Sequence, residues 1–340
     1  MEKIFKLCKE SIDKRLNEVF DKEICKYKNN SFIVDSLKEL KRLSQNGKRV
    51  RGFLIKLGQL LKGVDDDSYL DLAVAIEIFQ TAVLIHDDII DNADMRRGME
   101  TITYKYPDHL GISKAICIGD LGFFLAYRLI NETNLNATTK IEVLKIFTDT
   151  IYNTVLGEIT DVELPYKTKD YHKTIKEDII YDIYVNKTAW YTIIGPLLMG
   201  GATIDITEKE KNQLIEIGTN LGIAFQIKDD LLGIFSDQTT LGKTINDIKE
   251  GKQTIIYKYA IDKASEFDLR FINKYYGNPL IDEINTKKVI NIFIKLGAKE
   301  NAENLLKECI NKSINLLKQS SFVYQEKLIE FTNYLLERKC

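Results

Sequence analysis

The sequence predicts an all-α protein, and three observations carry that prediction. Apolar residues recur mostly at spacings of three and four, the period of amphipathic or buried helices. Only four prolines, Pro107, Pro165, Pro196 and Pro279, interrupt 340 residues. No long Gly-, Ser- or Pro-rich linker and no low-complexity block divides them, so residues 1–340 read as a single domain of roughly ten or more helices.

The elements follow in order. The stretch SYLDLAVAIEIFQTAVLIHDDIIDNADMRRG predicts a helix whose apolar content from Leu70 to Ile85 is too continuous for a surface position, with charge appearing abruptly at its end. IEIGTNLGIAFQIKDDLLGIF repeats that design: an apolar body, a polar Gln226, then a carboxylate pair. Breaks are predicted at NGKRVRG, KGVDDDSY, NADMRRGMETITYKYPDHLG, NETNLNATT, ELPYKTKDYH, SDQTTLGKTINDIKEGKQ and YYGNPLID.

Composition narrows the function classes. Hydrophobic residues make up 44% of the chain, enough to bury a large core. Lys+Arg number 48 and Asp+Glu 50, a balance that speaks against a nucleic-acid partner and confines charge-based function to local clusters. Five cysteines without a CxxC pair suit reduced thiols better than a disulfide frame or a zinc site. The first residues lack an apolar secretory core, and apolar runs such as WYTIIGPLLMGGATI are too short to span a bilayer, so a cytoplasmic protein without a stable membrane span is expected.

Two acidic segments carry the chemistry. Asp87 and Asp91 stand at i and i+4, one helical face, and Asp88 lies about 100° round, within reach of the same side. Carboxylates without histidine or thiolate favour Mg²⁺, which completes its shell with water and phosphate oxygens. Asp229 and Asp230 sit in the same setting, and two such clusters facing each other would clamp metal ions around a diphosphate. Asp94 and Asp237, which follow the clusters, read as caps or loop contacts. His86 reads as a hydrogen-bond partner that orients a carboxylate; Phe225, Trp190, Tyr184 and Tyr191 read as core or cavity lining. Basic residues appear at short, punctuated spacings: Gly47-Lys48-Arg49-Val50-Arg51, Arg96-Arg97-Gly98, Lys187-Thr188, Gly242-Lys243 and Gly251-Lys252. Glycine lets backbone N–H groups approach an anion, arginine grips phosphate bidentately and lysine supplies a point charge.

In order and combination these segments resemble the trans-isoprenyl diphosphate synthases, the group that includes farnesyl and geranylgeranyl diphosphate synthases. GKRVRG is similar to the family's GKRxRP segment, LIHDDIIDNADMRRG to its first aspartate-rich motif, and NKTAWY to its lysine segment. FQIKDDLLGIFSD and GKTINDIKEGKQT are similar to the second aspartate-rich motif and its two downstream lysines. The resemblance runs through most of the chain and implies an isoprenoid-synthase helical bundle with a central cavity, working as a homodimer. It implies metal ligands at Asp87, Asp88, Asp91, Asp229 and Asp230, with roughly three Mg²⁺ ions per site and Mn²⁺ as an alternative. It places Arg96, Lys187, Lys243 and Lys252 on the allylic diphosphate, and Lys48, Arg51, Gln80 and Arg97 on isopentenyl diphosphate. Thr188 and Gln226 fall beside the reacting carbons; Lys187, Thr188, Gln226 and Lys243 are the expected catalytic set.

Three positions depart from the family pattern. Gly52 replaces a usual proline. Gly233 stands where the second motif often has its last aspartate, with Asp237 four residues later as a substitute. Glu158, in LGEITDVE, replaces the amide of a GQxxD segment that continues to Asp161.

Product length is expected to depend on the helix behind Asp87, whose successive turns lie about 5.4 Å apart. Aromatic residues four or five positions before the first aspartate stop growth at farnesyl in this family; here those places are Val83 and Ala82. Phe79, a turn deeper, leaves room for about one more isoprene unit. Geranylgeranyl diphosphate (C20) is the expected product, with C15 and C25 as neighbours, and Ala82→Phe is expected to shorten it. Two other readings, a class I terpene cyclase and a non-catalytic accessory subunit, are disfavoured by GKRVRG with Arg97 and by the retention of both acidic clusters.

Overall fold

The structure is a computed structural model of the chain, and it describes residues 1–167, 176–236 and 246–337. Predicted Lys243 and Asp237 lie outside the described residues. The helices gather into two compact units: Met1–Phe147 with Pro196–Thr207, and Thr148–Gly195 with Glu208–Cys340.

In the first unit, α1 (Glu2–Lys26), α2 (Ser31–Ser44) and α3 (Val50–Leu60) lead into α4 (Leu70–Ile90). Nearly every side chain of α4 from Leu72 to Ala82 is buried, as the continuous apolar content requires. Its principal neighbour is α6 (Asp108–Asn131), reached through a two-residue β-hairpin, Met95–Arg96 with Met99–Glu100, and the short α5 (Ile102–Lys105). The hairpin is the sole departure from an all-helical chain among the described residues. It turns at Arg97 and Gly98, both at positive φ, and is fastened by Thr101 Oγ1 donating to Ala93 O (2.6 Å) and Arg42 Nη2 donating to Glu100 O (3.0 Å).

The second unit is built around α10 (Glu208–Phe235). A seven-residue α8 (Glu177–Ile183) runs into an eleven-residue π-helix, Tyr184–Ile194, which packs on α10. The 31-residue α7 (Ala137–Lys167) carries Pro165 inside it, so the predicted break at ELPYKTKDYH falls later than the proline. Helix α9 (Gly195–Ala202) follows the π-helix in sequence and from Pro196 onward belongs to the first unit. After α10 come α11 (Asn246–Glu250), α12 (Ile255–Lys263), α13 (Glu266–Tyr275), α14 (Glu283–Lys295), α15 (Ala298–Gln319) and α16 (Gln325–Glu337), with α15 packed along α10.

Two helices are long and apolar enough to cross a membrane by length and composition, Asp67–Ile90 and Asp108–Asn131. Isolated polar residues interrupt their apolar runs without making these helices polar. The first is 72% buried within the protein and is a core helix; the second is 39% buried.

Candidate active site

In the first unit, the end of α4 brings the three predicted carboxylates to one point. Arg96 Nε donates to Asp88 Oδ1 (2.5 Å), its Nη2 donates to Asp87 Oδ2 (2.7 Å), and Asp91 Oδ2 lies 3.8 Å from Nη2. Burial works against the guanidinium charge, yet the carboxylates outweigh it and hold the Arg96 pKa above its ordinary value. The three carboxylates thus share one cationic side chain. The donor set is oxygen alone, which suits a hard cation such as Mg²⁺. Among the described residues no three His, Cys, Asp or Glu side chains already close to metal-holding distance.

Of the residues expected to hold isopentenyl diphosphate, Lys48 and Arg51 flank the start of α3, Gln80 lies on α4 and Arg97 lies in the hairpin turn. Lys48 and Arg97 are exposed, Arg51 is half-buried and Gln80 is buried on α4. A methyl group at Gly47 would come within 3.5 Å of Arg97 Nη1, so the basic loop and the hairpin arginine are neighbours. The Gln80 carbonyl oxygen is buried and accepts no hydrogen bond among the described residues.

Sequence reasoning missed what holds that loop. Arg49, between the two predicted ligands, has a 1% exposed side chain and a left-handed backbone, φ 60°. Its Nε donates to Asp13 Oδ1 on α1 (2.6 Å), its Nη2 to the carbonyls of Ser44 and Gln45 (2.7 and 3.2 Å), and its Nη1 lies 3.6 Å from Glu77 on α4. Glu77 Oε1 in turn accepts from Gly52 N (3.0 Å). One buried guanidinium thus ties α1, α2 and α4 to the turn that displays Lys48. The sequence signal for it was an acid, Glu77, within the apolar run from Leu72 to Phe79.

His86 differs from expectation. Its ring stacks edge-on against Phe123, Nε2 faces Ile116 O at 3.3 Å, and its nearest carboxylate is Asp120 on α6 at 3.6 Å, not one of the motif. The helix twist sends it to the α6 side while Asp87 points elsewhere.

In the second unit, the π-helix presents Lys187 and Thr188. Lys187 Nζ is held by Asp161 Oδ2 (2.5 Å) and Glu158 Oε2 (2.8 Å) of α7. A methyl group at Gly157 would meet Lys187 N at 2.2 Å, so this glycine is what lets α7 lie against the π-helix backbone. Thr188 Oγ1 donates to Gln226 Oε1 (2.5 Å), and Gln226 Nε2 donates to Asp230 Oδ1 (2.8 Å). The other Asp230 oxygen accepts from the Tyr184 hydroxyl, which itself accepts from Ile255 N (3.0 Å). Burial and the neighbouring Asp247 push the Asp230 carboxyl up to about 7. Tyr184, read from sequence as core or cavity lining, is therefore the group that orients a motif carboxylate. Such π segments often mark functional sites, because the wide turn re-aims side chains. Lys252 is partly exposed and pairs with Glu250 (3.1 Å).

Of the chain-length candidates, Phe79 is fully buried in an aromatic cluster with Phe123 and Phe147 at 5.5 and 5.4 Å. Ala82 is also fully buried, and a methyl group at Gly122 of α6 would come within 2.9 Å of its Cβ. Val83 is half-buried.

Two helices that end in carboxylate pairs, the first closed on Arg96, suit the class of enzymes that handle diphosphates. Residues 36–293 match the family model for polyprenyl synthetase. The chain is 32% identical over 82% of its length to a geranylgeranyl diphosphate synthase of Sulfolobus acidocaldarius, and 31% identical over 82% to a short chain isoprenyl diphosphate synthase of Methanocaldococcus jannaschii; it covers 82% of each. Its structure is similar to that of a geranylgeranyl pyrophosphate synthase from Corynebacterium glutamicum complexed with isoprenyl diphosphate and magnesium, with TM-score 0.88 and 25% identity over 97% of this chain and 98% of that one. The chain belongs to the polyprenyl synthetase family: it has the all-helical isoprenoid synthase fold and is an isoprenyl diphosphate synthase, a prenyltransferase. The cyclase and accessory-subunit readings fall away.

Proposed function

We propose that this chain condenses isopentenyl diphosphate with an allylic diphosphate, head to tail and in trans geometry, in a Mg²⁺-dependent reaction that yields geranylgeranyl diphosphate. The observation that carries the reading is the closure of Asp87, Asp88 and Asp91 on a single cationic point. Those three, with Asp229 and Asp230, are the proposed metal ligands. The chemistry that Mg²⁺ supplies when bound is withdrawal of charge from the diphosphate, which favours its departure from the allylic carbon.

The chain's own residues do the rest. Arg96, Lys187, Lys243 and Lys252 neutralise the allylic diphosphate, and Lys187 is already oriented by Glu158 and Asp161. Lys48, Arg51, Gln80 and Arg97 hold the diphosphate of isopentenyl diphosphate, so that its double bond attacks without a bimolecular encounter. The Thr188–Gln226–Asp230–Tyr184 relay keeps oxygen dipoles fixed where positive charge develops. Pyrophosphate is the base that takes the final proton.

For product length, Phe79 and its aromatic neighbours form the proposed floor, with Val83 a turn above. Farnesyl and geranylfarnesyl diphosphates are the neighbouring alternatives. We treat residues 1–340 as one synthase domain, since the family match draws on residues of both units. A homodimer is proposed through α6, where Leu110, Ile112, Ile116 and Phe124 are exposed. The test is incubation with Mg²⁺, labelled isopentenyl diphosphate and, separately, dimethylallyl, geranyl and farnesyl diphosphates, followed by product sizing. Label moving into a C20 product is expected. No incorporation with any starter rejects the reading.

A further inference from the structure

Lys187 is assigned above to the allylic diphosphate, yet two acids of its own chain hold its charge. Nζ donates to Asp161 Oδ2 at 2.5 Å and lies 2.8 Å from Glu158 Oε2. Two negative charges therefore surround one positive charge, and the group as a whole repels an anion. One acid suffices to aim the lysine; the second opposes the diphosphate that the lysine must hold.

We propose that Glu158 is a positioning residue that competes with diphosphate for Lys187, drawing the ammonium onto α7 and so weakening the grip on pyrophosphate, the product that must leave. The inference rests on the function proposed above and deepens it, giving this chain's extra acid a part in product release.

The contact is built into the packing of the second unit. Glu158 and Asp161 stand three residues apart and share a face of α7. A Cβ built on Gly157 would lie 2.2 Å from Lys187 N and 2.7 Å from its Cα, so the two backbones touch at this turn. Thr188, the next residue, is buried and bonded to Gln226 through Oγ1, which fixes the rotation of the π-helix about Lys187. The lysine thus leaves its helix directly opposite both acids. Its long flexible stem still lets Nζ swing while Cα stays fixed. The side chains are 24% exposed at Lys187, 25% at Glu158 and 19% at Asp161. That exposure leaves the pairing screened enough to open when an anion arrives, unlike a fully buried ion pair.

The two acids are not equivalent. Asp161 belongs to the expected pattern, and its charge also reaches the Tyr184 hydroxyl, whose ionisation is opposed first by burial, then by Asp230 and more weakly by Asp161. Changing Asp161 would therefore disturb the Tyr184–Asp230 relay as well. Glu158 is the departure from the pattern, and glutamine in its place keeps an oxygen that can accept from Nζ while removing the charge.

The test uses the full-length protein in Mg²⁺, titrated with inorganic pyrophosphate by calorimetry and assayed for both KM values. In Glu158→Gln, pyrophosphate affinity should rise roughly 3–10-fold and KM for the allylic substrate should fall by a similar factor, with KM for isopentenyl diphosphate unchanged. Added salt should narrow the difference from wild type. Loss of a merely structural contact would weaken binding, so the direction of the shift separates the two roles. Glu158→Ala, which removes the acceptor too, should shift affinity the same way, and circular dichroism confirms that each variant folds. Unchanged or weaker pyrophosphate binding in Glu158→Gln overturns the proposal, as do opposite shifts in the two variants. Lys187→Ala is the control. If it binds pyrophosphate as tightly as wild type, the reading of Lys187 as a diphosphate ligand falls and this proposal with it; if it binds more weakly while Glu158→Gln changes nothing, only the role of Glu158 is lost.

Discussion

Replacing Arg96 with glutamine tests how the first acidic cluster is balanced. Glutamine keeps a donor on a shorter stem but carries no charge. The Arg96 side chain is 15% exposed and that of Asp88 5%, so solvent screens this pair weakly. Removing one partner of a buried pair costs about 3–5 kcal/mol. The greater exposure of Asp87 and Asp91 points to the lower end, about 3 kcal/mol. A divalent ion on the same carboxylates would supply the missing charge and reduce that loss by mass action. The assay is urea denaturation, followed by circular dichroism, of wild type and Arg96→Gln in chelator and in Mg²⁺ with inorganic pyrophosphate. The midpoint should fall in chelator and recover in part with the ligands. An equal fall in both conditions refutes competition between Arg96 and metal for these carboxylates, and no fall in chelator refutes the ion cluster itself.

Other expectations follow from the same geometry. Arg49→Met should destabilise the protein by about 3–5 kcal/mol by stranding Glu77, and should raise KM for isopentenyl diphosphate with little change for the allylic substrate; equal changes in both KM values count against a role in holding the Lys48–Arg51 segment. Val83→Phe should shorten the product on thin-layer analysis, and an unchanged chain length sinks the floor argument. Ala82→Phe, the substitution suggested by sequence, should instead cost about 1–3 kcal/mol, because the ring meets α6 at Gly122; an unaltered unfolding midpoint contradicts this. Asp230 ionises near 3.8 in an unfolded chain and near 7 here. Its contribution to stability is therefore complete below about pH 4 and is lost as pH rises through 7, by at most roughly 4 kcal/mol. In chelator the wild type should be less stable at pH 8 than at pH 5, and Asp230→Asn should flatten that difference; a slope that persists in the variant points to another group.

Much of the site was legible because it is local. The carboxylates of Asp87, Asp88 and Asp91 share a face by helical spacing alone, and Arg96 follows within nine residues. The buried character of α4 was visible as continuous apolar content, and the breaks around KGVDDDSY, NETNLNATT and YYGNPLID match the observed helix ends.

The sequence by itself determined that the chain is helical, where its acidic and basic groups cluster, and which family's chemistry they serve, since each of these depends on neighbours within a few turns. Only the tertiary structure decided which groups hold the clusters in place. Arg49 meets Asp13 across 36 residues, Tyr184 meets Asp230 across 46, and Asp247 comes to Gly233 from another helix. It also turned His86 toward α6 and set Ala82 against Gly122. Periodicity states which way a side chain leaves its own helix; what it meets there depends on how the helices pack, and that is settled by the burial of the whole core.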